Sequence, residues 1–142
     1  MGVGMPSGLY LQDFGEHVRR AFGYIPYHVG SSLANKDGWR DVDVRLILPD
    51  EEYAALGYGV PDQQHYNAKW VSTCLAWSAF GKALTGLPID FQIQQRSYAN
   101  ATFPGNRSGL FSIMVACEHE RTFERGQKSA APASTPPTTQ EK

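Results

Sequence analysis

The stretch that decides the fold is RDVDVRLILPD, residues 40–50. Apolar and β-branched residues alternate there with charged ones and then run together before a Pro-Asp pair, which predicts a β-strand. Because alternate side chains of a strand share a face, Asp41 and Asp43 should point the same way. They could be solvated residues on an edge strand, but acids are depleted in strands and two on one face repel each other. The pattern therefore favours a cation site.

A glycine-serine pair precedes this strand. Gly30 and Ser31 follow a predicted first strand at residues 24–29, and nine residues separate Ser31 from Asp41. Such a pair is by default a strand-ending turn, but it can also direct backbone N–H groups and the serine hydroxyl at phosphate oxygens. His28 alternates in phase with Gly30, where a histidine is either a proton carrier or a structural residue. The sequence predicts a phosphate-sized loop just ahead of the carboxylates.

A third acid lies in a second strand-like run, LPIDFQI at residues 87–93. Asp90 alternates there with apolar residues, so three carboxylates can converge. Such a triad suits two Mg²⁺ ions, with Mn²⁺ as the alternative, because these cations take carboxylate and phosphate oxygens. Two ions can clamp the attacking and leaving oxygens of a displacement at phosphorus. The residues predict phosphoryl or nucleotidyl transfer, with Asp41, Asp43 and Asp90 as metal ligands.

Further polar residues share the faces of these two strands. Arg45 lies two residues past Asp43, where it either forms an ion pair with a neighbouring carboxylate or clamps a phosphate. Gln92 and Gln94 share the face of Asp90, where their amides either read a base or fix a carboxylate. The sequence leaves both pairs of roles open.

These elements together resemble the DNA polymerase β-type nucleotidyltransferase superfamily. The pattern of that superfamily is a hydrophobic-Gly-Ser loop, an Asp-x-Asp or Asp-x-Glu strand and a third carboxylate. The matching residues of this chain are Val29, Gly30, Ser31, Asp41, Asp43 and Asp90. The phrases at residues 40–48 and 86–94 further resemble small stand-alone nucleotidyltransferase-like proteins of actinobacteria and their phages. The resemblance covers about residues 9–105.

The resemblance implies a small α+β domain over residues 1–125, with a mixed sheet backed by helices. It implies transfer of a nucleoside monophosphate from an NTP to a hydroxyl acceptor on RNA, protein or a small molecule, with release of pyrophosphate. Asp41 and Asp43 would bind both metal ions, and Asp90 would complete the catalytic one and orient or deprotonate the acceptor. The Gly-Ser loop would hold the leaving end of the triphosphate, with Arg45 in the nucleotide site.

One departure from the family concerns size. Larger members carry an additional, usually helical domain, whereas this chain has only about 30 residues between Gln94 and its tail. We therefore expect it to dimerise, to use a partner protein or to accept a small or flexible substrate. Two alternatives stay open: a nucleotide-binding or regulatory module that does not turn over, and a toxin- or antitoxin-like partner protein.

The composition indicates one globular domain with balanced charge. The chain has 142 residues, 42% of them hydrophobic, with 13 basic against 14 acidic residues. It can therefore bury a core, and it lacks the basic field of a protein that binds duplex nucleic acid strongly. No stretch has the roughly 18 to 20 apolar residues of a membrane span, no signal peptide is recognisable, and the two cysteines form no Cys-x-x-Cys pair. We expect a cytoplasmic protein, in the host cytoplasm if it is phage-encoded.

Two helices are predicted around these strands. Apolar residues at helical spacing predict the first over residues 7–22, with Ser7 as its N-cap and Gly23 after its end. The second is predicted over residues 67–84, with Gly86 as its C-terminal cap.

The C-terminal part carries weaker signals. Residues 100–109 are rich in Pro, Gly and Asn, which predicts a loop, and residues 110–117 predict a further strand or short helix. Residues 126–142 are rich in Ala, Pro, Ser and Thr, which predicts a disordered tail.

Overall fold

Helices and strands alternate along most of the chain. The structure is a computed structural model, and it describes residues 2–35 and 37–111. In chain order the elements are α1 (Ser7–Phe22), β1 (Tyr27–Val29), α2 (Ser31–Ala34), β2 (Val42–Leu48), α3 (Asp50–Ala55), a 3₁₀ segment (Pro61–Tyr66), α4 (Ala68–Thr85), β3 (Ile89–Gln95), α5 (Arg96–Thr102) and β4 (Ser108–Gly109). None of the helices in these residues is long and apolar enough to span a membrane.

The four strands form one mixed sheet in the order β3-β2-β1-β4. Strands β2 and β3 are parallel, and their register places Asp43 beside Asp90. Strand β1 runs antiparallel to both β2 and β4. A parallel pair needs a long crossover, which α3 and α4 supply here. The predicted α+β class, a small mixed sheet with helices packed on it, is confirmed.

One face of the sheet forms the hydrophobic core. The alternation in β2 and β3 turns every second side chain toward the helices, and these are Val42, Val44, Leu46, Ile89, Phe91 and Ile93. Helices α1 and α4 cover them, and the ring of Phe14 meets those of Trp77 and Phe91 at centroid distances of 6.3 and 6.1 Å. The opposite face is thereby left to the polar residues of the same strands.

Helix α4 also covers the open edge of β3. The backbone N–H of Phe91 donates to Ser78 Oγ at 2.9 Å, and the indole N–H of Trp70 donates to the carbonyl of Ile93, also at 2.9 Å. An uncovered edge strand leaves such groups available for pairing with another chain. The side chains of Ser78 and Trp70 therefore satisfy two of the backbone hydrogen-bonding groups on this edge.

The predicted bounds of the two long helices are nearly those observed. Helix α1 begins at Ser7, but Pro6 holds the N-cap position without a side-chain cap, so the prediction that Ser7 is the N-cap is wrong. Gly23 ends the helix with a φ of 83°. Helix α4 begins after Asn67, whose side chain accepts an N–H of the first turn, and Gly86 ends it with a φ of 70°.

Two other predictions need correction. The first strand is shorter than residues 24–29 because Pro26 has no N–H to give to a ladder, and its carbonyl accepts the amide of Leu110 instead. The predicted loop at 100–109 begins with the last turn of α5, whose C-terminal carbonyls accept hydrogen bonds from Arg107.

The remaining C-terminal predictions are outside the reach of the structure. The boundary between residues 125 and 126, the tail at 126–142 and most of the predicted element at 110–117 lie outside the described residues.

Candidate functional site

Asp43 and Asp90 meet on the polar face of the sheet through a shared arginine. Arg45 Nη2 donates to Asp43 Oδ1 and to Asp90 Oδ2, each at 2.9 Å, so these two oxygens are no farther apart than twice that distance. Arg45 Nη1 donates to the backbone carbonyl of Asp90 at 2.7 Å. The sequence leaves two roles open for Arg45, and in the structure it forms the ion pair with neighbouring carboxylates.

Asp41 does not join these two acids in a three-ligand group. It precedes the first residue of β2, and its ion pair at 3.6 Å is with Arg40, an almost fully exposed side chain. Within the part of the chain that the structure describes, no three His, Cys, Asp or Glu side chains are arranged to hold a metal ion. The structure thus brings two of the three predicted ligands together.

The surroundings of Asp43 disfavour the ionised form of its carboxyl group. Burial raises the pKa of this carboxyl above its ordinary value, and the negative charges of Asp90 and Asp41 raise it further. Arg45 acts in the opposite direction. Because each contribution except that of Arg45 disfavours the ionised form, a second cation at this point would lower the pKa of Asp43 and stabilise its carboxylate.

The backbone of Gly30 lies directly against Asp43. Its φ is 77° with a ψ of −162°, a conformation that almost only glycine adopts. A Cβ at this position would lie 2.2 Å from Asp43 Oδ2, closer than any real contact. The next residue, Ser31, is exposed and begins α2. Gly30 of the predicted Gly-Ser loop therefore lies against Asp43.

His28 is not part of the site. It pairs in register with Val44, which places its side chain on the core face of the sheet, and only 1% of it is exposed. The ring Nε2 forms a 2.8 Å hydrogen bond with Ser32 Oγ, which ties β1 to α2. Burial lowers the pKa of His28, which favours the neutral form of the ring. The structural role of His28 is confirmed, and the proton-carrier alternative is wrong.

A cleft of about 800 Å³ opens over this face of the sheet. Its polar lining comes from the strands and includes Asp43, Arg45, Gln92 and Gln94, while its rim comes from α2 and from residues 103–106. The sequence missed the rim, because residues 103–106 carry only a loop signal and gain their position from Arg107, which donates to the Phe103 carbonyl.

The two glutamines of the cleft differ in their contacts. Gln92 Nε2 donates to Asp90 Oδ2 at 3.2 Å, so this amide holds the carboxylate in place. Gln94 is only 4% exposed, and its side chain has no hydrogen-bond partner among the described residues. No side-chain N or O atom in this part of the chain is both sealed from solvent and unpaired, so the Gln94 amide opens into the cleft that it lines.

The acid pair supplies two of the oxygen ligands that a hard divalent cation takes. Mg²⁺ is usually held by one or two carboxylates together with substrate phosphates, and Asp43 and Asp90 supply two carboxylates. The Arg45 guanidinium already occupies the contact between them, so this is a place where the protein binds positive charge. A second ion would need Asp41, which does not complete a three-ligand group.

Comparison with known proteins adds no family to this geometry. Neither the protein-family models nor the curated proteins nor the solved structures gave a match to the chain.

Proposed function

We propose that the cleft binds a nucleoside triphosphate with Mg²⁺ or Mn²⁺ and transfers its nucleoside monophosphate to a hydroxyl acceptor, releasing pyrophosphate. The observation that carries this proposal is the pairing of Asp43 with Asp90 through Arg45, where Asp43 lies against Gly30 and lines a cleft of about 800 Å³. The acceptor is a hydroxyl of RNA, protein or a small molecule. The reaction takes place in the cytoplasm, where NTPs are made.

The residues divide the work by position. Asp43 and Asp90 would hold the divalent cation, whose positive charge would stabilise the negative charge of the nucleotide phosphates. Gly30 lies against Asp43 and lines the cleft, and Ser31 follows it at the start of α2, which suits the leaving end of the triphosphate. Asp90 is the more exposed acid, with 40% of its side chain accessible against 22% for Asp43. Its carboxylate therefore orients the acceptor hydroxyl and takes its proton.

Arg45 keeps the acid pair together when no ligand is bound. Two carboxylates and one guanidinium leave a net negative charge, so a cation can still be attracted to the pair. In the complex Arg45 retains its hydrogen bond to the Asp90 carbonyl, and its other guanidinium N–H groups donate to phosphate oxygens instead of to the carboxylates.

A second candidate function is a nucleotide-binding module without transfer. The ion pair itself favours it, because Arg45 donates to both carboxylates and to one carbonyl and so fills their contact without any metal. In this case the cleft binds the nucleotide through Arg45 and the Gly-Ser loop, and the bound state signals to a partner or a second copy of the chain.

A label-transfer experiment tests the proposal. The protein is incubated with each α-phosphate-labelled NTP, Mg²⁺ or Mn²⁺ and cell extract, and the extract is then separated into RNA, protein and small molecules. The wild type should move label into one fraction. Asp90→Asn should lose this transfer and keep much of its NTP affinity, whereas Ser31→Ala should weaken NTP binding by about 1 to 2 kcal/mol. Asp62→Asn, exposed in the 3₁₀ segment, is the matched control.

The outcomes separate the two candidates. Saturable, metal-dependent NTP binding with no label transfer to any fraction would replace the enzyme with the binding module. Absence of NTP binding by the folded wild type would remove both candidates. Transfer that survives Asp90→Asn unchanged would show that the acid pair is not the site.

A further inference from the structure

We propose that the nucleotide is an adenine nucleotide and that Gln94 recognises its base. This inference rests on the proposed function, because it assumes that the phosphates lie at Asp43 and Asp90. It assigns a substrate class to the cleft and a specificity role to a residue four positions along β3 from Asp90.

The unpaired amide of Gln94 is the first observation. Buried amides in folded proteins almost always have hydrogen-bond partners, so one that opens into a cleft without a partner is a candidate for ligand recognition. Only 4% of Gln94 is exposed. The residue lines the cleft, and its side chain has no hydrogen-bond partner among the described residues. Gln92, two residues earlier on the same face, is already engaged with Asp90.

The distance from the acid pair fits a nucleotide. Strand residues rise about 3.3 Å each, so Gln94 lies about 13 Å from Asp90 along the strand. A nucleotide with its phosphates at Asp90 and its sugar over Gln92 can bring the far edge of its base to this position. The ring of Phe103, 51% exposed on the cleft rim, offers an aromatic face on which a base can stack.

The contacts of the other lining residues favour adenine over guanine. A glutamine amide presents one donor and one acceptor, which match N7 and the N6 amino group of adenine. Guanine is most often read by arginine or lysine at O6 and N7. Arg45 is the arginine among the lining residues that the structure describes, and it lies at the acid pair, the end of the cleft proposed for the phosphates.

Binding measurements with matched variants test the inference. The wild type, Gln94→Met, Gln94→Glu and Phe103→Leu are titrated with nonhydrolysable analogues of ATP, GTP, CTP and UTP in Mg²⁺. Methionine keeps the length of glutamine and removes its hydrogen bonds. Gln63→Met, on an exposed residue of the 3₁₀ segment, is the control, and melting without ligand verifies that each variant is folded.

The expected results differ between variants. The wild type should prefer the ATP analogue, and Gln94→Met should lose at least about fivefold in affinity for it while the other three analogues bind as before. Gln94→Glu should shift the preference toward the GTP analogue, since a carboxylate accepts from N1–H and N2–H of guanine. Phe103→Leu should weaken the binding of all four analogues to a similar extent, because stacking on an aromatic ring depends little on the identity of the base.

Other outcomes overturn the inference in distinguishable ways. Equal binding of the four analogues by the wild type, or an equal loss of all four in Gln94→Met, removes base recognition by Gln94 and leaves the proposed transfer intact. ATP preference that depends on Gln94, without label transfer to any acceptor, removes the proposed enzyme and leaves the inference intact. If the folded wild type binds none of the analogues, both are wrong.

Discussion

At the scale of single residues, the site depends on close contacts that few substitutions can satisfy. Gly30 is the clearest case, because its backbone conformation disfavours a side chain and a Cβ there would clash with the Asp43 carboxylate. Arg45 is another, because its guanidinium is held by groups from two strands. These two residues connect the loop, the acids and the cleft.

Gly30→Ala should therefore destabilise the protein by about 2 kcal/mol or more, since a non-glycine residue in this conformation costs roughly 1 to 3 kcal/mol before the clash with Asp43 is added. Urea unfolding measures the loss. Gly59→Ala is the matched control, because Gly59 has the same φ of 77° and nothing within 4 Å of its Cβ position. A loss in Gly30→Ala no greater than that in the control would contradict the close contact.

Glu16→Gln should lower stability at neutral pH by about 1 kcal/mol, the upper range for ion pairs that are partly exposed. Arg19 holds the pKa of Glu16 below 4.5 through a hydrogen bond at 2.7 Å, against the effect of burial, and Arg20 lowers it further. A carboxyl group whose pKa is lower in the folded state stabilises the protein when the pH is above its pKa in the unfolded state. This stabilisation is lost as the pH falls through its pKa in the folded state.

The measurement for Glu16 is the difference in unfolding free energy between the wild type and Glu16→Gln as a function of pH. This difference should be constant near neutral pH and should shrink as the pH falls toward and through the lowered pKa of Glu16. Asp13→Asn, at an exposed residue of the same helix, is the matched control. A difference that grows on acidification would have the wrong sign for the ion pair.

The sequence predicted part of the site, and the strand period explains which part. Alternation alone places Asp43 and Asp90 on polar faces, and the structure has both there. It does not choose between the two roles of Arg45, because that choice depends on the register between two strands that are distant in the chain. Alternation also predicts that Asp41 joins the other two acids. In the structure β2 begins only at Val42, so the hydrogen bonds of the strand do not hold Asp41 in place.

At the scale of elements, helix α1 is positioned by a small residue. A Cβ at Gly15 would lie 2.4 Å from the Cβ of Leu110 and 2.5 Å from its carbonyl oxygen. The segment after β4 therefore passes directly over the middle of α1. The amide of Phe111 fixes the same contact by donating to Gln12 Oε1 at 2.8 Å.

Gly15→Ala should destabilise the protein by about 1 to 3 kcal/mol, because the segment at Leu110 must move away from α1. Gly8→Ala is the matched control in the same helix, since its Cβ would meet atoms only at 3.8 Å. It should be neutral or stabilising by up to about 1 kcal/mol, the difference in helix propensity. Thermal melting compares the two, and equal shifts would contradict the packing of Leu110.

The elements differ in how far the sequence could predict them. The long helices α1 and α4 carry their own evidence in apolar spacing and terminal glycines, and their bounds followed from it. Helix α5 does not, because its last carbonyls are capped by Arg107 from beyond the helix. The first strand is shortened by Pro26, whose effect on a strand ladder is local and can be recognised from the sequence.

At the scale of the whole molecule, the sheet separates a core face from a site face. Phe91 is 1% exposed between the rings of Phe14 and Trp77, while its neighbours Asp90 and Gln92 lie on the opposite face of the sheet, where Gln92 lines the cleft. Stability and ligand binding should therefore respond to different substitutions along one strand.

Phe91→Ala should cost about 3 to 5 kcal/mol, a large part of the total stability of a small domain. Phe91→Leu retains more volume and should leave a folded protein of lower melting temperature. If the two faces act independently, this variant should bind nucleotide with the affinity of the wild type at a temperature where both are folded. Calorimetric titration measures the affinity, and a loss as large as that of an acid-pair variant would contradict the separation.

The parallel pairing of β2 with β3 also has a consequence for the order of events during folding. Arg45 and Asp90 are 45 residues apart in the chain, and no shorter segment contains both halves of the site. The loop between them must close before either strand gains from the pairing, so the site is assembled late. A ligand that needs both strands acts only after this step. It should therefore prolong the lifetime of the folded protein by slowing unfolding, without hastening its formation.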